Sequence, residues 1–143
     1  MAEPQSAVEA ALRALRARDR SAAELDQRLL ARGAGAEERR EALELLERVG
    51  YVDDERFAHG RAAALATRGS GDALIRDDLE RRGLAGETIE AALVGLEPEH
   101  ARAERIVAKR GRSAKTARHL AARGFDEDAV AAAVAPDGSG EVE

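Results

Sequence analysis

Apolar residues recur along this chain at intervals of three and four, and almost nowhere in strict alternation. Ala, Leu, Arg and Glu dominate and runs of alternating β-branched residues are missing, so the pattern predicts helices without a sheet, an all-α fold. Internal repetition then groups the helices. Leu, two further residues, Arg and Gly occur at Leu29–Gly33, Leu79–Gly83 and Leu120–Gly124. Upstream of each Gly a helical run opens on a residue suited to cap it: Ser21 with Glu24 three positions on, Ser70, and Ser113. Downstream of Gly33, Gly83 and Gly124 a second run brings apolar residues back at Leu43, Leu93 and Val134. A further helix precedes each pair, over Ser6–Arg18, Asp54–Arg68 and Pro98–Arg110, the last with Pro in its first turn. The chain therefore divides into three units of three helices, 6–49, 50–96 and 97–135, followed by an acidic tail over 136–143.

The corner between the first two units, GYVDDERFA at 50–58, is the most distinctive wording in the chain. Gly50 suits the left-handed conformation that ends a helix. Asp53 suits the cap of the next one, with Asp54 and Glu55 in a first turn where the helix dipole favours negative charge. Tyr51 and Phe57, two of three aromatic residues in all, are the expected plugs between neighbouring helices. The larger contacts come from residues such as Leu25, Leu29, Leu46, Ile75, Leu79, Leu93, Leu120 and Val130. Units of this size sit near the lower limit for folding alone, so they should stack on one another as three tandem helix-turn-helix-like repeats in an elongated molecule.

Composition narrows the chemistry. The 143 residues are 44% apolar and 36% charged, with no cysteine, so disulfide and thiolate chemistry are excluded. No apolar run is long enough to span a bilayer, and MAEPQSAVEA has neither the basic start nor the apolar core of a signal peptide. The expected place is the cytoplasm, with no membrane partner. His59, His100 and His119 are scattered without metal-ligand spacing, and no phosphate-cradling glycine loop occurs. The chain reads as a binder that needs no cofactor or metal, not as an enzyme.

Charge points to where it binds. The net charge is −5, yet Ala101–Gly124 holds eight basic residues and one acid. Helical spacing places Arg102, Arg105 and Lys109 close together on one arc, with Arg110, Arg112, Lys115 and Arg118 continuing the block, all expected to face outward. A solvated charged face is the bland alternative; the scarcity of acids favours a contact with nucleic-acid phosphates or an acidic protein groove. A smaller set, Arg13, Arg16, Arg18 and Arg20, is diluted by neighbouring acids.

GYVDDERFA at 50–58, Arg20-Ser21-x-x-Glu24-Leu25, GDALIRDDLERRG at 71–83 followed by Ile89, and Arg123-Gly124-Phe125 followed by Val130 together resemble the RecX family of regulatory proteins. The resemblance covers nearly the whole chain in order. It implies three tandem three-helix repeats and a monomeric modulator of the RecA recombinase. Such a protein associates with the RecA filament on single-stranded DNA, lies along its groove across neighbouring protomers, and depresses ATP hydrolysis, strand exchange and co-protease activity; the net acidity of this chain leaves room only for weak binding to free DNA. The seven basic residues are assigned as contacts by charge and geometry; Gly33, Gly50, Tyr51, Asp53, Asp54, Phe57, Gly83 and Gly124 are assigned to architecture. Two rival readings are a helix-turn-helix regulator that enters the major groove of duplex DNA and a helical-repeat scaffold for an unrelated protein.

Overall fold

The structure, a computed structural model, describes residues 6–136. The described residues form helices only: α1 (Ser6–Ala17), α2 (Ala22–Ala31), α3 (Ala36–Arg48), α4 (Asp54–Thr67), α5 (Asp72–Arg81), α6 (Gly86–Val94), α7 (Glu99–Arg110), α8 (Ala114–Ala122) and α9 (Glu127–Val134). The acidic residues of the expected tail lie outside the described residues.

Side-chain caps open four of the helices, α2, α4, α8 and α9. Ser21 Oγ accepts from Glu24 N–H at 3.1 Å while the Glu24 carboxylate accepts from Ser21 N–H at 3.1 Å, a reciprocal cap worth about 1 kcal/mol. Asp53 accepts from Arg56 N–H at 3.0 Å to open α4, and Ser113 accepts from Thr116 N–H at 3.1 Å to open α8. Gly50 takes the left-handed conformation with φ +89°. Two expected caps differ. Gly71, which has no side chain, occupies the cap of α5, and Ser70 is buried beneath it. Pro98 sits at the cap of α7, one position before the first turn.

Three hydrophobic cores follow in chain order. Leu25, Leu29, Ala42 and Leu46 centre the first, Phe57, Ile75, Leu79 and Ile89 the second, and Ala103, Leu120, Phe125 and Val130 the third. Within each, the first helix of a triple packs on its third, α1 on α3, α4 on α6 and α7 on α9, with the middle helix laid against them. Val52 belongs to the first core, its N–H donating to Leu46 O at 3.2 Å, so the join between the first two triples falls after Val52 instead of at Gly50. Tyr51 is no plug: it is 59% exposed, because the turn that buries Val52 sends its immediate neighbour to the opposite side. Phe57 is buried as expected, with the Arg82 guanidinium 6.0 Å from its ring centre.

The triples are joined through their middle helices, set end to end. At the first joint, Ser21 at the start of α2 donates its hydroxyl to Arg82 O at the end of α5, 2.7 Å away. At the second, Gly71 and Ala73 at the start of α5 donate backbone N–H groups to Arg123 O and Gly124 O at the end of α8, at 2.8 and 3.1 Å. Each joint also receives a carboxylate from the first helix of the following triple. Asp54 accepts from Ala22 N–H and Glu99 from Asp72 N–H, both at 2.8 Å, so each anion sits on a helix N-terminus that lacks an internal acceptor. Sterics explain the Arg-Gly stops here: a Cβ on Gly83 would lie 2.4 Å from Ala23 Cβ, and one on Gly124 would lie 2.7 Å from Leu74. Both glycines also have positive φ, +82° and +88°. The second triple thus touches both neighbours, and no hydrogen bond among the described residues joins the first triple to the third.

Candidate functional site

The third triple is built so that its apolar positions are consumed internally and its bases are left over. Helix α7 turns Ala103 and Val107 inward, and α8 turns Thr116 and Leu120 inward, against Phe125, Val130 and Ala133. Gly111, at φ +95°, ends α7 and lets the chain reverse into α8. Arg105, Lys109, Arg110, Arg112, Lys115 and Arg118 are all exposed on the remaining surface.

Arg102 is the correction. It is only 8% exposed, facing the second triple instead of solvent. Its Nη1 donates to Ser70 O at 2.9 Å and its Nε to Glu97 O at 2.9 Å, its Nη2 pairs with Asp72, and its guanidinium lies 5.9 Å from the Phe125 ring centre. Such a hub ties α5, α7 and the loop before α9 together and leaves no donor edge for an outside partner. Helical angle alone put Arg102 beside Arg105 and Lys109; alignment of the repeats tells more. Arg102 stands three residues after Glu99, as Phe57 stands three after Asp54, and both Phe57 and Arg102 are buried. The repeat register marks a core position where the charge suggests a surface one.

The remaining six divide into two sets. Arg105 and Lys109 stand at a cleft of about 470 Å³ between the second and third triples, whose floor includes Ala63, Ala66, Ile106 and Phe125. Arg105 pairs there with Glu97. Arg110, Arg112, Lys115 and Arg118 occupy the α7–α8 corner and α8 itself. Among the described residues, Lys109, Arg110, Arg112, Lys115 and Arg118 form no ion pair, whereas most arginines of the second triple do, including Arg61 with Asp78 at 3.0 Å and Arg76 with Glu90 at 2.8 Å. Beside this surface, partial burial first and then the positive charges of Arg110 and Arg123 lower the pKa of His119 below its ordinary value. A surface of this kind attracts anions and disfavours further cations. Sequence reasoning missed the acids that organise this region. Asp54 and Glu99 look like ordinary first-turn residues, and only the joints reveal that each serves a neighbouring helix.

Among the described residues no group of three or more His, Asp or Glu side chains is placed to hold a metal ion. No helix there is long and apolar enough to cross a membrane.

Comparison with known proteins agrees with this architecture. A family description for RecX, second three-helix domain, matches residues 53–93, beginning at the cap of α4. The regulatory protein RecX of Chromohalobacter salexigens is 39% identical over 134 residues, covering 87% of this chain and 88% of that protein. Its counterpart from Stenotrophomonas maltophilia is 33% identical over 136 residues, covering 88% and 83%. The crystal structure of RecX from Lactobacillus salivarius superposes with a TM-score of 0.79 at 17% identity, over 92% of this chain and 94% of that one. A second crystal structure of regulatory protein RecX gives 0.75 at 19% identity, over 92% and 70%. The two structures speak for the fold, and the two sequence relatives, matched over most of their length, carry the kinship: this chain belongs to the RecX family of regulatory proteins.

Proposed function

We propose that this protein binds the RecA recombinase filament on single-stranded DNA in the cytoplasm and restrains its ATP hydrolysis, strand exchange and co-protease activity. It acts by occupancy and without chemistry of its own. The observation that carries the reading is the set of five exposed, unpaired bases, Lys109, Arg110, Arg112, Lys115 and Arg118, at one end of a RecX-family repeat stack. Unpaired cations gain from neutralising phosphate or carboxylate because they give up no internal partner. Three triples joined end to end can touch more than one filament subunit, so modest contacts add through effective concentration. Arg105 joins the contact set at the cleft; Arg102 is withdrawn from it and given to architecture.

The test is the single-stranded-DNA-dependent ATPase of the cognate RecA, titrated with wild type and with Lys109→Glu/Arg112→Glu/Lys115→Glu/Arg118→Glu. Wild type should inhibit below one molecule per RecA protomer. The variant, whose changed residues have no internal partner, should keep its melting temperature and need about tenfold more protein for the same inhibition. Absence of inhibition by wild type at several-fold excess removes the filament reading, and unchanged inhibition by the variant removes the basic face.

A further inference from the structure

A second group of unpaired cations lies at the opposite end of the chain. Helices α1 and α2 diverge around a cleft of about 220 Å³ whose floor includes Ala10, Ala14 and Leu25, with Arg13, Arg28 and Arg32 at its edge. All three arginines are exposed, and none has an ion-pair partner among the described residues. No acid lines the cleft, and of the acids on α2 and α3 Asp26 pairs with Arg39, Glu37 and Glu44 with Arg40, and Glu24 with Arg82. Nearby, buried Arg20 donates to Ala14 O at 3.1 Å. Its pKa is lowered, by burial first and then by the charges of Arg18 and Arg28.

The helix dipole accounts for part of this arrangement, since Arg28 and Arg32 stand at the C-terminal end of α2, where cations are favoured. It does not account for Arg13, which reaches the same cleft from α1, beside the half-exposed Ala10 and the exposed Ala17. The size of the cleft selects the occupant. Small-molecule sites begin near ~300 Å³, so this one takes a single side chain. No aromatic residue lines it, so a nucleobase would find nothing to stack on. Guanidinium forks bind carboxylates in a bidentate geometry that fits flanking acidic residues.

We propose that the α1–α2 cleft is a protein-docking site that receives an acidic segment of the partner, one small apolar side chain seated on the alanine floor and flanking carboxylates held by Arg13, Arg28 and Arg32. This rests on the filament reading for the partner's identity: the first triple grips recombinase protein while the third meets phosphate. Neither contact shares a residue with the other.

The experiment compares wild type with Arg13→Ala/Arg28→Ala/Arg32→Ala in two assays, inhibition of the cognate RecA ATPase and fluorescence-anisotropy binding to oligo-dT without RecA. The proposal expects at least a fivefold rise in the concentration needed for inhibition, with oligo-dT affinity unchanged within twofold. Unchanged inhibition overturns it, and so does a parallel loss of oligo-dT binding, which would make the cleft a phosphate site. Wild type without any effect on RecA overturns the filament reading instead. The cleft is then judged by methyl NMR of Leu25 titrated with a synthetic peptide of alternating Glu and Leu. Saturable shifts absent from the triple variant sustain the docking site; no shifts in wild type end it.

Discussion

The two joints between triples solve one problem with different chemistry. Each sets the C-terminal end of one middle helix against the N-terminal end of the preceding one and adds a carboxylate from the next triple's first helix. At the first joint the bridging donor is a side chain, Ser21 Oγ, and the close contact is Gly83 against the methyl of Ala23. At the second the donors are backbone groups of Gly71 and Ala73, and a Cβ on Gly71 would stand 2.5 Å from the backbone of Gly124 and Phe125. The second joint also holds buried Arg102, which has no counterpart at the first. Backbone-to-backbone contact fixes two helices without relying on rotamers but tolerates no extra atom. A side-chain joint can be retuned by substitution, which makes the first joint the more adaptable of the two.

Removing Arg102 should expose the difference most strongly. Arg102→Ala strands Asp72 and empties two carbonyl acceptors, so a cost of about 3–5 kcal/mol is expected in urea unfolding. Hydrogen exchange locates the loss: α7–α9 should lose protection well before α1–α3, and equal loss in all helices would mean that the joints do not separate independent units. Next comes a steric pair. Gly83→Ala and Gly71→Ala should each cost about 1–3 kcal/mol from overpacking, and Gly83→Ala carries in addition the strain of its positive φ. Ala23→Gly should recover part of the loss in Gly83→Ala, because the obstacle there is one methyl. No such rescue exists for Gly71→Ala, whose obstacle is main chain. A failure of Ala23→Gly to restore any stability would dissolve the distinction between the joints.

Much of this fold was legible in the residues because its determinants are local. The Ser21–Glu24 box, the Asp53 cap and the Arg-Gly stops state their own geometry, and the three-fold recurrence states how the helices group. What escaped depends on contacts between triples. Tyr51 and Val52 are neighbours on a turn, and only the packing of α3 decides which one enters a core. Arg102 carries the charge of a surface residue at the register of Phe57, and its partners Ser70 and Asp72 lie some thirty positions away. Arg13 comes from α1 and Arg28 and Arg32 from the end of α2, so no single stretch of sequence shows that they meet at one cleft.

Acid should distinguish the joints more gently than mutation. Asp78 accepts from Arg61 at both carboxylate oxygens and from Arg82, which in turn pairs with Glu24 across the first joint. These hydrogen bonds, that of Arg61 foremost and opposed by burial, hold the Asp78 carboxyl below its ordinary 3.8. A carboxyl depressed in the folded state adds stability that is complete above its unfolded value and is lost as pH falls through the folded one. The window therefore opens below about pH 4 and leaves neutral solution untouched. With the group partly exposed, the contribution should stay within about 1 kcal/mol. Asp78→Asn should lower the urea midpoint at neutral pH and approach wild type in strong acid, with the amides of Ser21 and Ala22 losing protection first. A gap between the two proteins that stays constant across the acid range would mean that Asp78 acts by shape alone, and that the first joint is held by Ser21 and Asp54 without help from this ion network.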